Sequence, residues 1–282
     1  MTIALAVITL AAAVVNGALG YGFSSITVPL ALLFLTNRAL NPALVLIEVA
    51  LNAYVLAVNR AALPAVWRRV LPIVLGLGPG IALGTLIVSR VSPGWLKLCT
   101  FVVLLPLILV QAAGYRRPIR SERSAGAAFG GAVGVLYAVT TISGPPLAVA
   151  LNNQGLSRQE FRAALGFVRL AESTLTAIAY LMAGLFARES VALIPKILPS
   201  VAIGVPIGAV LIRHVRAETF RRVCMSFDAW VVSFGISTLL RDLHLVASGS
   251  AYLVMVTVIL LDAWLLARFF SGAQTRAVPY AV

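Results

Sequence analysis

From residue 3 to residue 268 the chain is a succession of eleven apolar stretches, with almost every charge in the gaps between them. The stretches lie at roughly 3–19, 25–36, 40–59, 68–89, 95–113, 124–140, 144–152, 159–186, 190–212, 219–240 and 247–268. A water-soluble fold of this length cannot hide so much apolar surface: 61% of the 282 residues are hydrophobic and only 11% are charged, against about 25% charged in soluble domains. The pattern predicts an all-α integral membrane protein. A spanning helix needs about 20 apolar residues, and barrel strands would show a period of two instead.

Two of the stretches, 25–36 and 144–152, are too short to cross. Twelve helical residues reach about 18 Å, against about 30 Å of hydrocarbon. Each follows a break rich in small hydroxyls and closed by proline, "YGFSSITVP" (Tyr21–Pro29) and "YAVTTISGP" (Tyr137–Pro145). At a step of 116 residues, Tyr21 matches Tyr137, Ser24 and Ser25 match Thr140 and Thr141, Ile26 matches Ile142, Thr27 matches Ser143, and Pro29 matches Pro145. Pro29, Pro145 and Pro146 are expected in the first turn of the short helices, where a missing N–H costs nothing.

The basic residues choose between two arrangements. If each long–short pair returns to the side it entered from, fifteen of the 22 Lys and Arg fall on one side, Arg60, Arg68, Arg69, the Arg116–Arg123 segment and Arg222 among them. Six fall on the other: Arg38, Arg90, Lys97, Arg188, Lys196 and Arg241. If each pair makes one bent crossing, the same residues divide ten to eleven. Cytoplasmic loops carry the excess of positive charge, so the returning arrangement is preferred, with the breaks as re-entrant hairpin tips, the N-terminus outside and the Arg116–Arg123 loop cytoplasmic.

Each half then holds five elements, so the second enters from the opposite side, and the halves read as two inverted repeats with one further C-terminal helix. The boundaries are 1–113, a basic loop 114–123, 124–240, and 241–282. Downstream of an eight-residue insertion near "NQGLSRQE" the step becomes 124, pairing Glu48 with Glu172, Leu51 with Leu175, Gly80 with Gly204, Gly84 with Gly208 and Val91 with Val215. The glycine pairs form GxxxG steps, which suit close helix packing in lipid.

The net charge of +13 belongs to loops that orient the protein, and no nucleic-acid partner is expected. Cys99 and Cys224 lack CxxC or metal-site spacing, and His214 and His244 lack a metal-like partner. No phosphate loop or nucleophile–base pair stands out, so neither an enzyme nor a cofactor is expected. "MTIALAVITL" has no basic n-region and reads as a retained first helix rather than a cleaved signal.

Inverted repeats with interrupted helices are an architecture of secondary transporters, which bind substrate near the midplane. A broken helix frees N–H groups at the start of the next helix, and these favour anions. Tyr21, Gly22, Ser24, Ser25, Thr27, Tyr137, Thr140, Thr141, Ser143 and Gly144 form such tips, although their hydroxyls would equally satisfy the broken backbone. Arg169, in "LGFVRLAESTL", is the one basic residue expected well inside a span; its match in the first half is Val45. It either binds an anionic substrate or pairs with Glu172 one turn on. Glu48 and Glu172 either carry a coupled proton or tie helices together, through Asn52 and Arg169 respectively. Asn16 either binds substrate or caps the first break. Asp228 is open, and Asp262 reads as structural.

The residues "GYGFSSITVPL" and "TISGPPL", with the glycine steps followed by "VSPGWLKLCTFVVLL" and "VRAETFRRVCMSF", resemble the TauE/SafE, or sulfite exporter, family over nearly the whole chain. The resemblance implies transport of a small sulfur-containing anion (sulfite, sulfonate or sulfoacetate-like) across the bacterial inner membrane. "YGFSS" departs from that family's glycine-rich first motif, and the pocket wall it forms is expected to differ.

The sequence thus leads to alternating access around an anion held by the two tips and Arg169. A coupled proton or sodium ion, contact with membrane lipid, and a monomer or homodimer complete the expectation. An anion channel, a transporter of a non-sulfur organic anion, and a membrane-embedded sulfur-delivery partner are the competing readings.

Overall fold

The computed structural model describes residues 2–113, 123–152, 156–211, 214, 217–246 and 249–275. The basic residues Arg116, Arg117, Arg120, Arg213, Arg216 and Arg276 lie outside the described residues. Within these, α-helices follow in the order α1 Thr2–Leu19, α2 Phe23–Ala31, α3 Asn37–Val58, α4 Leu63–Arg90, α5 Pro93–Ala112, α6 Arg123–Thr140, α7 Gly144–Asn152, α8 Arg158–Met182, α9 Arg188–Leu211, α10 Ala217–Asp242 and α11 Leu253–Thr275. Short 3₁₀ turns precede α4 and α11, and no strand occurs among the described residues. Eight of the helices are long and apolar enough to span a bilayer, so the chain is a multi-pass membrane protein. The nine residues of α2 and of α7 reach about 13 Å and cannot cross.

Contacts along the helices give their directions. Ser200 on α9 donates to the Ala6 carbonyl at 3.0 Å, Gly204 faces Leu10 and Ala13, and Gly208 faces Val14, so α1 and α9 run parallel. Gly76, Gly80 and Gly84 face Ala127, Gly131 and Val135 in turn, so α4 and α6 also run parallel. Asn52 meets Arg169 and Gly166 meets Val55 and Leu56, so α3 and α8 are antiparallel.

One end of the bundle gathers residues 36–38, 88–91 and 188–190. Arg38 donates to the carbonyls of Val88, Ser89 and Val91 at 3.0–3.1 Å, and Ser190 donates to the Arg38 carbonyl at 3.2 Å. Because α1 parallels α9, it starts at this end, and the chain after α2 returns there. The α1–α2 pair is therefore a hairpin. By the same argument α6 and α8 both start at the opposite end, and α6–α7 is a hairpin entering from there. The extensive pairings include α1 with α9, α4 with α6, α3 with α8, α5 with α10, α4 with α8 and α3 with α9. Exchanging α1–α5 with α6–α10 carries this set onto itself.

Three sequence expectations change. Pro29 lies in the last turn of α2, not its first; α2 is instead opened by Gly22, whose φ of 106° only glycine adopts without strain. Pro145 and Pro146 do stand in the first turn of α7. The two breaks also do not match at a step of 116. Leu19 and Thr140 end their helices, and Phe23 and Gly144 start theirs, 121 residues apart in both cases. Tyr137 therefore sits inside α6, whereas Tyr21 lies beyond the end of α1. Helix ends, not side-chain likeness, set the register.

Third, Arg222 is not a loop cation. It is buried on α10, where it pairs with Asp262 of α11 at 2.8 Å and donates to Ser226 at 2.9 Å; Trp230 donates to the other Asp262 oxygen at 3.1 Å. This polar cluster ties α11 to the bundle, and Asp262 has the structural part expected of it.

The glycine steps act through backbone contact. A Cβ on Gly208 would collide with the Val14 carbonyl and the Ala18 amide, whereas one on Gly78 meets nothing. Backbone cannot yield as a side chain can, so Gly208→Ala is expected to cost about 1–3 kcal/mol. Gly78→Ala should be neutral or slightly stabilising, by up to about 1 kcal/mol. Thermal unfolding in detergent, followed by size exclusion, checks the pair; equal melting temperatures would refute the close crossing.

Candidate functional site

The crossing of α3 and α8 brings the middle of each helix to the centre of the bundle, and both hairpin tips converge on it. Glu48, fully buried on α3, accepts three hydrogen bonds. Ser24, in the first turn of α2, donates to Oε1 at 2.6 Å. Arg169 on α8 donates to the same oxygen at 2.7 Å. Tyr137, a turn before the end of α6, donates to Oε2 at 2.6 Å. One carboxylate thus binds the first hairpin, the second hairpin and the facing helix.

Glu172 is held differently. Ser143, at the start of α7, donates to its Oε2, and its Oε1 has no partner among the described residues. Arg169 is 3% exposed and uses one nitrogen on Glu48; its Nε and Nη1 have no partner among the described residues. There too, Thr27 and Thr176 carry buried hydroxyls without partners. An unmet buried donor costs about 1–3 kcal/mol, more when charged, so spare N–H groups on a guanidinium are what an incoming oxyanion would satisfy. The N-terminal turns of α2 and α7 face the same cluster; α2 adds N–H groups without partners in its own helix, whereas α7, opened by Gly144, Pro145 and Pro146, keeps only that of Gly144.

The ion pair differs from the one the sequence suggested. Arg169 pairs with Glu48 across the helix crossing, not with Glu172 along its own helix. Asn52 does not bond Glu48; it donates to the Arg169 carbonyl at 3.3 Å, beside Ser173 at 2.8 Å. Arg169 is thereby held in both backbone and side chain.

The other tip residues divide. Thr140 accepts the Ile142 N–H at 3.0 Å and donates to the Leu136 carbonyl at 2.7 Å, while Thr141, at φ 57°, donates to the Thr140 carbonyl at 2.7 Å. Both hydroxyls satisfy the broken backbone rather than facing the cluster. A β-branched residue at positive φ is strained, and such strain gathers at functional tips. Tyr21 packs its ring against Gly144, so the two tips touch. Asn16 is buried and its carbonyl accepts the Gly20 N–H at 2.7 Å, closing α1. Gly22 and Ser25 line a separate small cavity, away from Glu48.

Four supporting residues were not singled out from sequence. Asn41 and Asn37 donate to the Val139 carbonyl at 2.7 and 3.5 Å, and Tyr180 donates to that of Ala138. Arg162 donates to the Ala18 carbonyl at 3.3 Å. Together they hold the carbonyls freed at the ends of α6 and α1. Asparagines within the apolar 40–59 stretch and its flank were the available signal.

The chain belongs to the family described as sulfite exporter TauE/SafE, whose members are transporters and whose pattern matches residues 5–234. No curated protein and no solved structure matches the chain.

Proposed function

We propose that this member of the TauE/SafE family is a secondary transporter, not an enzyme, moving a small sulfur-containing anion (sulfite, sulfonate or sulfoacetate-like) across the bacterial inner membrane. The observation that carries the reading is the spare Nε and Nη1 of Arg169, buried where the two hairpin tips meet. The planar guanidinium suits a bidentate oxyanion, and Ser24, Ser143, Thr27, the first turn of α2 and the Gly144 N–H supply further donors around it.

The mechanism is alternating access. Residues 1–113 and 124–240 act as inverted repeats, a reading supported by the exchangeable helix pairings and by hairpins that enter from opposite ends. The cluster is closed to solvent in this state, which favours a transporter over a continuous channel. Rocking of one half would part the Ser24–Glu48 or the Ser143–Glu172 contact and open the cluster to one side. Glu48 and Glu172 are the candidate proton carriers within it. Arg169 balances only one of the two carboxyls, and Glu172 is the one with an oxygen to spare. The excess of Lys and Arg in the loops on one side supports a periplasmic N-terminus and a cytoplasmic C-terminus. The protein works as a monomer or homodimer.

Proteoliposome flux with sulfite, thiosulfate, sulfoacetate, taurine and carboxylates tests the proposal. Saturable, sulfur-selective uptake with counterflow is expected. Flux that does not saturate and shows no counterflow indicates a channel, and selectivity for carboxylates removes the sulfur assignment.

A further inference from the structure

Asp228 on α10 is 6% exposed and makes no hydrogen bond or ion pair among the described residues. It lines a cavity of about 30 Å³ between α10 and the tip of the first hairpin, where it faces Tyr21, Gly22 and Ser25. That volume holds one or two waters. A carboxylate buried without a partner is costly, so a positive charge has to be brought to it. The nearest cation on its own helix, Arg222, is committed to Asp262. Helices α1 and α5 contribute only aliphatic side chains to the cavity, and the other ionisable groups on its wall are Tyr21 and Cys224. Of the lining side chains only Tyr21, Ser25 and Asp228 carry oxygen, too few to replace the oxygen shell of a metal ion. A proton needs only the carboxyl and a water.

We propose that Asp228 is a proton-binding site coupled to the first hairpin: it takes a proton from water in the cavity when the α1–α2 tip is docked as here, and returns it to water when the tip moves away. The step is reversible, carboxylate plus hydronium giving carboxylic acid plus water. Glu48, already holding three donors, and Glu172 are both fully enclosed, whereas Asp228 is partly exposed at its cavity, so Asp228 is the carboxyl open to water in this state. The side chain that lines the cavity is also the one whose neighbours, Gly22 and Ser25, belong to the moving element. Movement of the tip alters the surroundings of Asp228 directly, which is what coupling requires.

This proposal rests on the transporter reading, and two measurements keep their failures apart. The first needs no substrate. N,N′-dicyclohexylcarbodiimide reacts with protonated carboxyls in apolar surroundings, and peptide mass spectrometry of the full-length protein in liposomes locates the adduct. Labelling at Asp228 that falls as pH rises is expected; absence of labelling from acid to neutral pH overturns the proposal even if transport is robust. The second uses flux. With one proton per anion, a gradient of one pH unit sustains about a ten-fold concentration ratio. Asp228→Asn is expected to lower that ratio to about one while counterflow stays near wild type. Proton-driven accumulation that survives in Asp228→Asn, or is lost in Glu172→Gln alone, overturns the assignment, as does accumulation driven by sodium instead of protons. If the wild type moves no anion in the panel, the transporter reading fails, and the labelling result still decides whether Asp228 binds a proton.

Discussion

Arg169→Lys is expected to fold close to wild type and to bind the transported anion about 10- to 150-fold more weakly. A lysine keeps the charge that Glu48 requires, but it lacks the planar fork and the second nitrogen that remains free for the substrate. A hydrogen bond to a charged group is worth about 1.5–3 kcal/mol, which sets that range. Arg169→Ala goes further and abolishes binding, but it also leaves Glu48 buried and uncompensated, at about 3–5 kcal/mol. Loss of binding in the alanine variant is therefore ambiguous, and the lysine variant separates recognition from folding. Isothermal titration in detergent, paired with a melting curve, gives both readouts. Full affinity in a folded Arg169→Lys protein would show that Arg169 is structural.

The largest stability effect is expected at Glu48. Its side chain is bonded to both hairpins and to α8. Glu48→Gln keeps the shape but strands the guanidinium of Arg169, a loss of about 3–5 kcal/mol. Most of that penalty is the uncompensated charge rather than the worth of the pair. The double variant Glu48→Gln with Arg169→Met should accordingly recover much of the stability while remaining inactive in transport. Glu172→Gln, which breaks no ion pair seen in the structure, should cost much less. A Glu48→Gln protein as stable as Glu172→Gln would mean that the two hairpins are held by something other than this carboxylate.

These two expectations turn on a partner that no local rule identifies. The sequence places Arg169 three residues before Glu172, the ordinary spacing for a pair on one helix face. The structure pairs it with a residue 121 positions away. Which carboxylate wins depends on the rotation and height at which α3 crosses α8, and on Asn52 and Ser173, which hold the Arg169 backbone. In the same way, the hydroxyl-rich breaks announce themselves in sequence, but not which hydroxyls leave the backbone. Ser24 and Ser143 start helices and reach across to carboxylates, whereas Thr140 and Thr141 lie on the chain reversal and are consumed by it. Arg222 shows the limit of counting charges between apolar runs. Two arginines in succession look like a loop, yet Asp262 draws the second into the bundle.

The solvent, the helices, the two interrupted spans and the small-residue faces were all legible in the residues alone. Those properties depend on composition and on spacing within one turn or one span. The sequence also marked Glu48, Arg169 and Glu172, because charge in an apolar run is conspicuous wherever the run folds. Which of these groups touch, the 121-residue register of the hairpins and the cavity beside Asp228 emerged from the packing of the helices. Contacts of that kind depend on how helices far apart in the chain are rotated and offset against one another, and a shift of a single residue turns a helix by about 100° and exchanges one partner for another.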